Sequence, residues 1–114
     1  MTLAISETQL LDAIRDVAAW HEWLCYHTYD SRRSEAGFPD LVLVRGSRLL
    51  FVECKSERGW VRPEQRRWLE ALGAIGGPQF GFDERGVVVG PRLPEVYVWR
   101  PADWRDGTIE TVLA

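Results

Sequence analysis

The stretch GFPDLVLVRGSRLLFVECK, residues 37–55, constrains this chain more than any other. Leu41 to Arg45 and Leu49 to Cys54 are two short runs rich in Leu, Val and Phe, separated by Gly46-Ser47, which is the pattern of a β-hairpin. A two-residue loop that begins with Gly suits a type II′ turn, whose twist matches that of the strands it joins. Arg45 should then face Arg48, and counting back along the ladder sets Asp40 opposite Glu53. Directly facing residues have Cβ atoms roughly 4.5–5.5 Å apart, and like charges at that spacing destabilise the pair. Lys55 shares the Glu53 face, whereas Leu50, Val52 and Cys54 point the other way. Two facing acids with a lysine alongside make a poor hairpin unless a divalent cation reverses the penalty.

At 114 residues the chain reads as one domain, 1–114, with a single core. Its 46% apolar and 27% charged residues are those of an ordinary water-soluble fold. No apolar run approaches the about 20 residues of a membrane helix, and no signal-peptide pattern precedes Ser6, so a cytoplasmic protein without a membrane partner is expected. The two cysteines have neither metal-ligand spacing nor a disulfide framework and read as buried free thiols.

A net charge of −3 argues against nucleic acid, but the charge is unevenly spread. Residues 31–67 hold nine basic side chains against five acidic ones, and the remainder holds five against twelve. That asymmetry is either a local phosphate-binding surface on an acidic domain or a scatter of solvated charges.

Ser6 and Gln9 have capping-box spacing and predict a helix to about Trp20 with the apolar stripe Leu10, Leu11, Ile14, Val17 and Ala18. Glu7 falls near the middle of that stripe, so it either points to the core side or simply favours the helix dipole. Trp23 to Tyr29 reads as a first strand, and His21 and His27 read as structural. The loop after Lys55 holds Trp60 between Arg58 and Arg62; the ring either folds back over the core, lies in a subunit interface or, if exposed, suits stacking on an unpaired base. Pro63 fits the first position of a helix that extends to about Gly73 and is ended by Gly76-Gly77. Gln65 shares a face of it with Trp68, Leu69 and Leu72, and a buried amide there needs a polar partner. Val87 to Val89 suits an edge strand or hairpin arm, Glu95 to Trp99 another strand, and Pro101 opens a last helix toward Leu113. The expected fold is α/β, with order α-β-β-β-α-β-α and a central mixed sheet.

Asp40 in GFPDL, Glu53-Cys54-Lys55, and Gln65 with Trp68-Leu69 downstream together resemble the VRR-NUC branch of the PD-(D/E)XK nuclease superfamily. The likeness spans about Ser6 to Gly73, and VYVWRPADW is similar to bacteriophage single-domain members. It implies a restriction-endonuclease-like core and a Mg²⁺- or Mn²⁺-dependent endodeoxyribonuclease. Asp40 and Glu53 would be metal ligands, joined by the Cys54 backbone carbonyl and by Glu7 as the first-helix acid. Lys55 would orient water or stabilise charge, with Gln65 in support. Arg32, Arg33, Arg58, Arg62 and Arg66, with Trp60, are the expected DNA contacts. Viral members of the branch look like Holliday-junction resolvases, which suggests branched DNA as substrate, a homodimer making two symmetric cuts, and the host cytoplasm as location if the protein is viral. The alternatives are a flap or non-specific nuclease, or an inert DNA-binding or scaffold protein.

Overall fold

The computed structural model describes residues 5–29, 34–75, 81–82, 85, 88–89 and 94–114. Helix α1 (Glu7–Trp20) starts where the capping box places it. Ser6 Oγ accepts from the Gln9 N–H and Gln9 Oε1 accepts from the Ser6 N–H, so two orphan amide donors of the first turn are satisfied. Its buried face is Leu10, Ile14 and Ala18. Glu7, expected near that stripe, is exposed, because the stripe meets the sheet only from Leu10 onward.

Strands β1 (Leu24–His27), β2 (Leu41–Arg45), β3 (Arg48–Cys54) and β6 (Glu95–Trp99) form one sheet in the order β1-β2-β3-β6. The hairpin has the register obtained by counting: Arg45 faces Arg48 and Leu41 faces Val52. Gly46 has φ +58° and Ser47 is not among the positive-φ residues, as a type II′ turn requires. β1 joins β2 antiparallel, whereas β6 lies parallel to β3, so the sheet is mixed. One face of it, Leu41, Leu43, Leu50, Val52, Cys54 and Trp99, forms the core with α1 and the C-terminal helix. Each of these side chains is removed from water, at about 25 cal/mol per Å² of apolar surface buried.

Helix α2 (Pro63–Gly73) follows β3 and covers part of the opposite face. Phe38 bridges the two, meeting Phe51 and Trp68 edge-on with ring centroids 6.0 and 5.0 Å away. β4 (Gly81–Phe82) and β5 (Val88–Val89) form a separate two-stranded pair, so this run is a hairpin arm and not an added edge of the main sheet. Gly76 and Gly77 lie outside the described residues.

Three expectations are corrected. The first strand is shorter than Trp23 to Tyr29: Trp23 leaves it to join the core, its Nε1–H donating to the Leu113 carbonyl. Cys25 is exposed and only Cys54 is buried, because β1 is an edge strand whose side chains are little covered. The last helix is two, α3 (Pro101–Arg105) and α4 (Thr108–Leu113), since Gly107 takes φ +83° between them. A left-handed residue cannot continue a right-handed helix, and glycine adopts it without a Cβ clash.

Candidate active site

The hairpin delivers Asp40 and Glu53 to one place, but not as a simple cross-strand pair. Asp40 sits just before β2, where its carbonyl accepts from the Thr28 N–H at 2.8 Å and so extends the β1-β2 ladder. Its Oδ2 accepts from the Cys54 N–H at 2.7 Å. A carboxylate held by a backbone donor in this way has a fixed direction. Glu53 is 2% exposed. Its Oε1 accepts from Gln65 Nε2 at 3.0 Å and lies 3.8 Å from Lys55 Nζ. Its Oε2 is buried without a hydrogen-bond partner among the described residues.

Gln65 is oriented from both ends. Its Oε1 accepts from the Arg62 N–H at 2.9 Å, which caps α2 and leaves the amide nitrogen facing Glu53. The polar residue on an apolar helix face thus has the partner that burial demands. Gly37 makes this possible. It has φ +90°, and a Cβ there would come within 2.5 Å of the Glu64 carbonyl carbon and oxygen. The loop before Asp40 can therefore lie directly against the first turn of α2. A glycine three residues before Asp40 is the sequence signal for this close approach.

Glu7, Thr28, Tyr29, Asp40, Glu53, Arg62 and Gln65 line one cleft of about 420 Å³. Five acids border it: Glu7 from α1, Glu35 and Asp40 from the segment before β2, Glu53 from β3 and Glu64 from α2. Glu7 is exposed at this cleft, so the first-helix acid reaches it from the solvent side. Lys55 is 6% exposed and does not line the cleft, standing instead beside Glu53. Arg62 reaches the cleft, while Arg58, Trp60 and Arg66 do not line it. Arg32 and Arg33 lie outside the described residues. Thr28 and Tyr29, brought beside Asp40 by the β1-β2 pairing, were not anticipated, and neither were Ser34 to Phe38 and Glu64, which also line the cleft.

Burial, followed by the Asp40 charge, pushes the Glu53 carboxyl up to about 8 from an ordinary 4.5; Lys55 opposes this and Glu7 adds to it. The same burial and acids push the Cys54 thiol up, so it is an inert core thiol. A carboxyl whose folded pKa is raised contributes stability that is complete below pH 4.5 and is lost as pH climbs through about 8. The melting temperature in chelator should accordingly fall between pH 5 and 8 by more for the wild type than for Glu53→Gln. Parallel slopes for the two proteins would show that Glu53 is already ionised throughout.

The VRR-NUC domain family matches residues 4–80, more than half of the chain and all of the site just described. The chain belongs to the VRR-NUC domain family. It is thus a nuclease-type protein of the PD-(D/E)XK kind, a hydrolase with DNA as its substrate. Comparison with curated proteins and with solved structures returns no match.

The VRR-NUC site also fits the divalent cation that such nucleases generally use. Among the described residues no three His, Cys, Asp or Glu side chains are gathered to hold a metal ion. The fit rests instead on two carboxylates, one with a buried oxygen that has no hydrogen-bond partner among the described residues, and hard oxygen donors of this kind are what Mg²⁺ and Mn²⁺ select.

Proposed function

We propose that this VRR-NUC chain, with residues 1–114 acting as one nuclease domain, is a Mg²⁺- or Mn²⁺-dependent endonuclease selective for branched DNA. The observation that carries the metal dependence is the buried Glu53 carboxyl, with an unpartnered oxygen and with Asp40 beside it. Such an arrangement is costly in an empty cleft and favourable around a cation. Asp40 and Glu53 would hold the ion together with the Cys54 carbonyl, and Glu7 would approach from the cleft. Bound there, a hard divalent cation supplies Lewis-acid stabilisation of the phosphate and favours deprotonation of the attacking water.

The chain's own residues do the rest. Gln65 fixes the Glu53 carboxylate through its 3.0 Å bond, so the site is pre-organised before substrate arrives. Lys55 supplies a positive charge next to Glu53 and balances the acids as the anionic phosphate enters. Arg58, in the loop after β3, and Arg62, at the cap of α2, are assigned to phosphates and not to bases, and Arg32 and Arg33, outside the described residues, are assigned the same role from the sequence.

A homodimer belongs to the same reading. Leu24, Tyr26 and Val44 expose an apolar strip at the β1 edge of the sheet, which a second copy would cover. Two copies related by a twofold axis would cut two strands symmetrically. No described helix is long and apolar enough to cross a membrane, and we place the protein in the cytoplasm.

The test is cleavage of a panel of linear, flapped and four-way DNAs with Mg²⁺, with Mn²⁺ and with chelator. Four-way and flapped substrates should be cut faster than linear duplex, and chelator should stop all three reactions. Equal rates on all substrates would leave a non-specific nuclease, and cleavage in chelator would end the metal assignment.

A further inference from the structure

A second depression, lined by residues other than those of the cleft, lies along α2. It has a volume of about 590 Å³ and is lined mainly by Trp60, Val61, Pro63, Arg66 and Arg67. Trp60 is 71% exposed. A large apolar ring left in water on a mobile loop would be unremarkable, but this loop is anchored. Arg100 Nη1 donates to the Ser56 carbonyl at 2.7 Å and also to the Gly59 carbonyl, and Arg105 pairs with Glu57. The ring is therefore presented on a braced support, and little conformational freedom remains to be lost on binding.

The charges beside it are unsatisfied. Arg66 and Arg67 are both exposed, and neither guanidinium has a hydrogen-bond or ion-pair partner among the described residues. Glu70 is the one acid in the groove. The groove also adjoins the cleft: Pro63 lines the first while Arg62, Glu64 and Gln65 line the second, so one turn of α2 serves both.

We propose that this groove is a nucleotide subsite that takes an unpaired base next to the scissile phosphate, stacked on Trp60, with flanking phosphates held by Arg66 and Arg67. An indole face beside two free guanidinium groups complements a base and its phosphates, and not an apolar or acidic-poor protein surface. A base within a duplex already has both faces stacked on its neighbours, so the occupant is single-stranded. Since every base has a π-face, the subsite reads DNA structure without reading sequence. It rests on the nuclease reading and narrows it to substrates with a single-stranded flank.

Binding of fluorescein-labelled oligothymidylate, measured by anisotropy in chelator, tests the subsite. Trp60→Ala should weaken binding about tenfold, and Trp60→Phe should recover most of it. The double variant Arg66→Ala/Arg67→Ala should flatten the slope of log K against log salt by about 1.4, from two single-strand phosphate contacts. Equal binding by wild type and Trp60→Ala overturns the proposal. So does a Trp60→Ala protein of altered mass in sedimentation, which gives the groove to a second copy, or one with a much lower melting temperature, which gives the ring a packing role. The two readings fail separately. Trp60-dependent oligothymidylate binding by a protein that cuts no DNA ends the nuclease reading alone, and DNA cleavage without such binding ends the subsite alone.

Discussion

Asp40→Asn and Glu53→Gln should each lower DNA cleavage by on the order of 10³-fold, the several kcal/mol that a correctly held cation contributes to the transition state. Neither should unfold the protein. The Asp40 side chain accepts from the Cys54 N–H, and the carbonyl oxygen of an asparagine can accept that bond as well. Glu53 accepts from Gln65 Nε2, and glutamine keeps that acceptor while removing a buried charge that burial and Asp40 both oppose. In chelator, Glu53→Gln should therefore melt at the wild-type temperature or a few degrees higher, as about 1 kcal/mol shifts a domain of this size. Divalent metal should raise the melting temperature of the wild type and leave that of either variant almost unchanged. Clear destabilisation of both variants in chelator would mean that the paired acids hold the hairpin together, and the metal assignment would lose its physical basis.

The second large effect concerns Lys55. Lys55→Met keeps the length and packing of a side chain that is 6% exposed, and removes the positive charge that pairs with Glu53 among the described residues. Turnover at saturating metal should fall about 10²- to 10³-fold, the range seen when one charge-stabilising donor is removed from a preorganised site. Because Lys55 holds the Glu53 carboxyl lower than burial alone would, the variant should also require more divalent metal at neutral pH. The two readouts separate a direct role from an indirect one. If only the metal requirement rises while turnover at saturation is kept, Lys55 acts through Glu53 and has no contact with the reacting phosphate. If neither changes by more than about twofold, it is no part of the chemistry.

Much of this site was legible because its parts are local. The turn Gly46-Ser47 sets a register, and a register of period 2 decides which residues share a face. That is why the sequence groups Glu53 with Lys55 and assigns Leu50, Val52 and Cys54 to the core. The start of α1 at its capping box and that of α2 at Pro63 follow from equally local chemistry. The same locality explains the error over the last helix. An apolar pattern continues from Trp104 to Leu113, and nothing in it shows that Gly107 takes a positive φ.

Other features depend on contacts between distant residues. Gln65 reaches Glu53 only because Gly37 lets α2 dock against the loop before Asp40, a contact between residues 27 positions apart. Arg100 braces the Trp60 loop only because β6 runs parallel to β3 and ends beside it, with the Lys55 N–H donating to the Trp99 carbonyl at 2.9 Å. Cys25, Leu24 and Tyr26 are exposed because β1 is an edge, and a strand's place in a sheet is set by its partners, not by its composition. The sequence by itself determined the hairpin register, the helix starts, and the presence of an acid-acid-lysine set with a glutamine to support it. Tertiary structure alone decided that Asp40 turns its carboxylate onto the Cys54 amide, that Lys55 is buried beside Glu53, and that Trp60 stands in water. Periodicity and turn chemistry act over a few residues, whereas burial, docking and the loss of solvent around a charge are properties of the packed chain.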